Sequence, residues 1–262
     1  MLCYRIAVVA WMLLTPFLAC ADEGTLILHG GGVVSAEVRD RFFDLAGGPQ
    51  AKIVVIPTAD PDTPEDDARL QTWRARGPAS VTLLHAASHE QAERDRFAEP
   101  LQQATGVWIS GGRQTILAAT YLGTPVEREL SALLRRGGVI AGTSAGAAIQ
   151  SRVMIVRGEA REGFDLLANG VVDQHFLARN RQERLLNVLT AHPQRFGIGI
   201  DENTAAIVRG ERLSVMGESI VTVCIAAHGD QPQRLERLKA GETLDLKPIR
   251  AAIADRPRSP KE

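Results

Sequence analysis

With 262 residues, 45% of them hydrophobic and 23% charged, the chain has ordinary globular composition and enough apolar material for one large α/β domain. A formal net charge of -1 supplies no field to hold nucleic acid or an anionic membrane surface. Tyr and Trp are too scarce for an aromatic-rich carbohydrate or base-stacking groove.

Residues 1–21 read as a signal peptide. Arg5 supplies the positive start, residues 6–18 the apolar stretch, and Ala19-Cys20-Ala21 the small residues at the cleavage positions. The apolar stretch is shorter than the ~20 residues of a membrane span. The expected mature protein is therefore exported, to the periplasm or the medium, with no stable membrane span. Cleavage removes Cys3 and Cys20. Cys224 then has no partner for an internal disulfide and reads as a buried thiol.

Continuous apolar runs at 25–28, 52–57, 80–84, 106–109 and 139–141 read as strands buried on both faces. Helical stretches at 37–46, 64–76, 115–121 and 126–135 alternate with them. Thr63 stands as N-cap of the second, with Pro64 at its first position. This alternation predicts a doubly wound, mostly parallel sheet flanked by helices. Residues 151–172 show no period and read as a loop or small hairpin near the site. Residues 182–191 read as a helix. Residues 205–208 and 213–216, around Arg209-Gly210-Glu211, read as a C-terminal hairpin, and 220–226 as the final strand. The catalytic domain is expected over 22–228, followed by a polar extension over 229–262 with a disordered end from Arg256.

Chemistry concentrates at Gly142-Thr143-Ser144-Ala145-Gly146. An apolar strand precedes this turn and a helix follows it, the context that makes Gly-x-Ser-x-Gly a nucleophile turn. The two glycines remove side chains that would clash there, and the helix N-terminus favours negative charge. Ser144 needs a base. Of six histidines, His175 stands out because Asp173-Gln174-His175-Phe176 runs directly into a basic segment. The orienting acid is read as Glu202, at the end of the apolar run 197–200, with Asp201 and Asp173 as competitors. The order Ser, His, acid differs from the Ser, acid, His of lipase-like hydrolases. The amide of Ala145 is one candidate oxyanion donor and that of Gly112, in Ser110-Gly111-Gly112, is the other. His29-Gly30-Gly31-Gly32 reads as a loop of close backbone approach. Arg181 and Arg184, three apart, share a helix face suited to gripping carboxylates.

Together these motifs resemble cyanophycinase and its relatives, serine peptidases on a class I glutamine-amidotransferase-like (flavodoxin-like) scaffold akin to the aspartyl dipeptidases. The matching pieces are Gly111-Gly112-x-Gln114, Gly142 to Ala147, Asp173 to Phe176 with Arg179, Arg181, Arg184 and Leu185, and Gly197 to Glu202. They follow the family's order across about residues 25–226. The resemblance implies Ser144 as nucleophile, His175 as base and Glu202 as orienting acid. It implies Gln114, Asp173, Gln174, Arg179, Arg181 and Arg184 as substrate contacts, no metal or organic cofactor, and a homodimer. It also implies a poly-aspartate-type polymer with arginine on its side carboxylates, or a related peptide, as substrate. The family often carries an acidic residue where this chain has Arg113, a charge that would oppose a guanidinium and attract a carboxylate. Two other readings accompany this one. The first is an exopeptidase acting on short acidic or isoaspartyl peptides. The second is a non-catalytic periplasmic binding protein on the same fold.

Overall fold

A computed structural model describes residues 23–60 and 68–257. The expected signal peptide and the Thr63 cap lie outside these residues, as do 258–262. Strands and helices alternate through the first half: β1 (Thr25–His29), α1 (Ala36–Leu45), β2 (Lys52–Ile56), α2 (Ala68–Arg74), β3 (Ser80–Leu83), α3 (His89–Ala92), α4 (Glu99–Gln102), β4 (Gly106–Ile109), α5 (Gln114–Tyr121), α6 (Pro125–Arg135), β5 (Val139–Thr143) and α7 (Ala145–Ala148). The Ser35 hydroxyl caps α1 by accepting from the Val38 amide.

Strands β1, β5, β4, β2 and β3 lie side by side in that order, all parallel. Beyond β1, three antiparallel strands extend the sheet to eight: β10 (Thr204–Arg209), β11 (Arg212–Gly217) and β14 (Thr243–Asp245). Alternate residues serve two cores. Val54 and Ile56 of β2 join Leu101, Leu117, Leu130 and Ile140 on one face, while Ile53 and Val55 join Phe42, Trp73 and Trp108 on the other. Cover on both faces explains why these strands are apolar without a break.

A second sheet carries the other half of the site. It contains β8 (Gly170–Gln174), β9 (Phe196–Ile200), β12 (Ile220–Ile225) and β13 (Arg234–Lys239), in the order β13-β12-β9-β8. Strands β8 and β9 are parallel, joined through α8 (Gln182–Ala191). The stretch expected as a loop or hairpin contains the hairpin, β6 (Val153–Val156) with β7 (Glu159–Glu162). It also contains the start of β8, which was not foreseen.

The expectation of a domain ending at 228 is corrected. Strand β12 is not the last: β13, β14 and α9 (Lys247–Ala254) follow it. Leu238, Leu246, Ile249 and Ile253 are buried in the main core. These elements cover the sheet from outside and bury one face each, so their average composition is polar although their inward residues are not. Arg256, expected in a disordered tail, is buried and donates to the Ala226 carbonyl at 3.0 Å and to Gln231 Oε1 at 2.8 Å. Among the described residues no helix is long and apolar enough to cross a membrane.

This packing makes the C-terminal segment part of the stability of the domain. Ile253→Ala is expected to lower the unfolding free energy in urea by about 2–5 kcal/mol, the usual cost of emptying a buried aliphatic position. A loss near zero would show that the helix is peripheral.

Candidate active site

Strand β5 ends at Thr143, and Ser144 turns the chain into α7 with φ 49° and ψ -108°. Positive φ is strained for a residue with a side chain and holds the hydroxyl clear of its own backbone. Gly142 and Gly146 are obligatory here, because a Cβ on either would collide with backbone of Gly146 and Ile109 respectively. The Ser144 amide donates to the His29 carbonyl at 2.8 Å. Ala145, first in α7, is buried, and its N–H has no acceptor within its own helix.

His175 follows the last residue of β8, also with positive φ (50°), and its amide donates to the Gly30 carbonyl at 2.8 Å. Its Nε2 lies 2.9 Å from Ser144 Oγ and its Nδ1 lies 2.6 Å from Glu202 Oε1. The carboxylate can only accept, so Nδ1 carries the proton and Nε2 accepts from the serine hydroxyl. Burial lowers the His175 pKa, although the hydrogen bond to Glu202 pulls the other way. The ring is therefore mostly neutral and basic at pH 7.

The two competing acids are elsewhere. Asp201 accepts from the Leu177 and Ala178 amides at 3.1 and 3.0 Å and from the Ser219 hydroxyl at 2.8 Å. Burial would raise its pKa, but these donors hold it below the usual carboxylate range. It fixes the loop after His175. Asp173, expected to touch substrate, is fully buried. Its oxygens take Arg184 Nε at 2.7 Å and a second Arg184 nitrogen, with Arg181 Nη1 at 3.5 Å. Burial pushes its carboxyl up and the two arginines draw it back. A contact under two arginines is a foundation for the cleft wall, which corrects its expected role.

The remaining expected residues meet in one cleft of about 680 Å³, which contains Ser144, His175, Gly112, Gln114, Gln174 and Arg179 in its lining, together with Arg181 and Arg184. Gln174 Nε2 donates to Gln114 Oε1 at 2.9 Å, and Gln114 Nε2 donates to the Ile155 carbonyl at 2.6 Å. Arg181 Nη1 also donates to the Gln174 carbonyl at 2.7 Å. Gly112 has φ 141° and sits against Ala59, where a Cβ would strike backbone.

The profile of peptidase family S51 matches residues 26–216. The chain belongs to that family. Cyanophycinases of Trichormus variabilis and Geminocystis herdmanii are 34% and 33% identical to it, over 78% and 77% of this chain and 74% and 80% of theirs. A crystal structure of a peptidase from an acI-B1 Actinobacterium superposes with a TM-score of 0.67 at 26% identity, covering 85% of this chain and 97% of the other. A putative peptidase E from Listeria monocytogenes EGD-e, 17% identical with a TM-score of 0.52 over 75% of this chain and 100% of the other, shares the fold. This protein is thus a serine-type peptidase on a mixed α/β scaffold.

Residues that the motifs left aside also meet at the site of this S51 peptidase. His29, at the end of β1, is fully buried, with Nδ1 3.0 Å from Thr143 Oγ1 and accepting from the Gly31 amide at 3.2 Å. Gly31 lies against the His175 ring, where any Cβ would collide with the imidazole. The Gly-rich loop after β1 is therefore the close-approach loop expected, and what it approaches is the His175 ring. Arg157, Glu159 and Arg161 of the β6–β7 hairpin also line the cleft. The reading of 151–172 as a loop or small hairpin near the site covers them but singles out none of the three, because long-range packing decides where the hairpin points. Cys224 is buried and its thiol is pushed up to about 12, matching the inert reading.

Two expectations follow for this S51 peptidase. Burial, with His175 adding to it, lowers the His29 pKa to about 4 from 6.5. As pH falls from 6.5 towards 4 the unfolded chain takes up a proton that the folded chain refuses. Stability present above pH 6.5 is lost through this window, on the order of 3 kcal/mol. Urea midpoints from pH 7 to 4 should fall less steeply in His29→Gln; identical slopes would refute the assignment. Asp173→Ala should cost about 3–5 kcal/mol in denaturant unfolding, because it leaves two half-buried guanidiniums without their counter-charge.

Proposed function

We propose that this protein is an exported serine peptidase that cleaves Asp-containing peptide or isopeptide bonds through an acyl-enzyme on Ser144. The observation that carries the reading is the continuous line from Ser144 Oγ through His175 to Glu202, with separations of 2.9 and 2.6 Å. Ser144 Oγ attacks the scissile carbonyl while its proton passes to His175 Nε2. Glu202 stabilises the resulting imidazolium and keeps the tautomer correct. The amides of Ala145 and Gly112 are the proposed donors to the tetrahedral oxyanion. His175 then hands its proton to the leaving amine, and water, activated by the same ring, releases the acyl group. Every step is complete with side chains and backbone, so the mechanism calls on no metal or organic cofactor.

The cyanophycinase relatives support an aspartate-based substrate, polymeric in the first reading. Arg113 at the cleft favours the second reading, short acidic or isoaspartyl peptides, because it would repel an arginine-capped aspartate. Export rests on the character of residues 1–21, and the homodimer rests on the resemblance to the family.

A serine-directed fluorophosphonate should label the protein, and Ser144→Ala should abolish the label. Ser144→Ala and His175→Ala should each lower kcat by about 10³-fold or more with unchanged circular dichroism. A folded wild-type protein that takes no label and hydrolyses no Asp-containing peptide would leave the binding-protein reading in its place.

A further inference from the structure

Of the arginine motif, only Arg179 leaves its charge available in the Ser144 cleft. Arg181 and Arg184 are committed to Asp173 and the Gln174 carbonyl. Arg161 is paired with Glu159 at 2.6 Å. That leaves Arg113, Arg157 and Arg179, which have no ion pair or side-chain hydrogen bond among the described residues. They come from three separate elements. Arg113 is the N-cap of α5, Arg157 sits in the β6–β7 turn, and Arg179 lies in the loop after β8. All three are exposed and line the same cleft as Ser144. Glu159 is the one acid in that lining, and Arg161 already occupies it.

Arg157 carries a second signal. Val156 pairs with Glu159, so the hairpin closes on two residues, and both have positive φ: Arg157 at 51° and Gly158 at 89°. Such turns favour Asn-Gly, because any Cβ is strained in the left-handed region and Asn tolerates it best. The turn itself gives no reason for arginine, and the residue lines the cleft that holds Ser144. Converging guanidiniums with no counter-charge favour a ligand that brings its own carboxylates, through paired, charge-assisted hydrogen bonds.

We propose that Arg113 and Arg157 form a second carboxylate subsite beside Ser144, so that the enzyme selects peptides with an acidic side chain on the leaving residue, its carboxylate held by the Arg113–Arg157 wall while Arg179 takes a main-chain carboxylate. This deepens the catalytic reading above and rests on it for the chemistry. A peptide with arginine as the leaving residue both lacks that carboxylate and brings a like charge against the wall.

The test uses the full-length mature protein and three dipeptides with one isoaspartyl linkage, ending in Glu, Gln or Arg. Glu and Gln are matched in shape, so their difference isolates the extra carboxylate. We expect kcat/KM for the Glu peptide to exceed that for Gln by about tenfold or more, with Arg the poorest, and the margin to shrink in high salt. Arg113→Glu combined with Arg157→Glu should invert the order to favour Arg, which a misfolded protein cannot do. Arg157→Asn should hold or raise the melting temperature while lowering the Glu-over-Gln ratio. Equal rates on Glu and Gln, a preference for Arg, or an unchanged ratio in these variants would overturn the subsite. If fluorophosphonate labelling and hydrolysis both fail, calorimetric binding of the same peptides separates the two ideas. Tighter binding of Glu than Gln keeps the subsite while the catalytic reading falls, and equal or absent binding removes the subsite.

Discussion

Two consecutive carbonyls at the end of β1 hold the site together. His29 accepts from the amide of Ser144 and Gly30 accepts from the amide of His175, each at 2.8 Å. The two residues come from different sheets, β5 in the eight-stranded sheet and β8 in the four-stranded one. Both stand at positive φ, a conformation that neither would choose alone. Adjacent acceptors at the end of one strand therefore set the distance between Ser144 and His175 through backbone, where side-chain entropy is not at risk.

Everything around that pair serves to keep it unchanged. Gly31 lies against the imidazole, Gly30 against the Ile200–Asp201 backbone and Gly32 against Asn203, and Gly31 and Gly32 have positive φ. Gly31 is anchored from both ends: its amide donates to His29 Nδ1 and its carbonyl accepts from the Asn203 amide at 2.9 Å. Asn203 is the neighbour of Glu202, so the loop over the base and the acid behind it move as one unit. Asp201 pins the backbone just after His175 by accepting two amides. Three successive residues thus divide the work, and only the middle one reaches the ring.

The charge distribution shows the same separation between foundation and face. Asp173, buried and bound to Arg181 and Arg184, stiffens one wall at the cost of desolvating a carboxylate. Its presence neutralises much of the arginine cluster that the sequence displays. The guanidiniums that remain uncommitted sit on the rim, one of them on a hairpin with no relation in sequence to the catalytic motifs. These guanidiniums stand on elements that can vary without disturbing the Ser144–His175 pair.

The parallel half of the fold was legible because strands covered on both faces must be apolar throughout, and the helices between them carry their own caps and stops. Ser144 was legible because its turn imposes glycine at fixed spacing. Glu202, His175 and Gln114 were named by motif, but their convergence was not: nothing local tells Asp201 from Glu202, or a buried Asp173 from an exposed one. The segment after 228 was misread, since edge strands and a surface helix hide a few buried residues in a polar average. The sequence by itself determined the Gly142–Gly146 turn around Ser144 and the alternation of buried strands with helices. Only the tertiary structure decided which arginines are already paired and which carboxylate meets the ring. Pairing depends on which side chains long-range packing brings within about 3 Å, and chain separation carries no record of that.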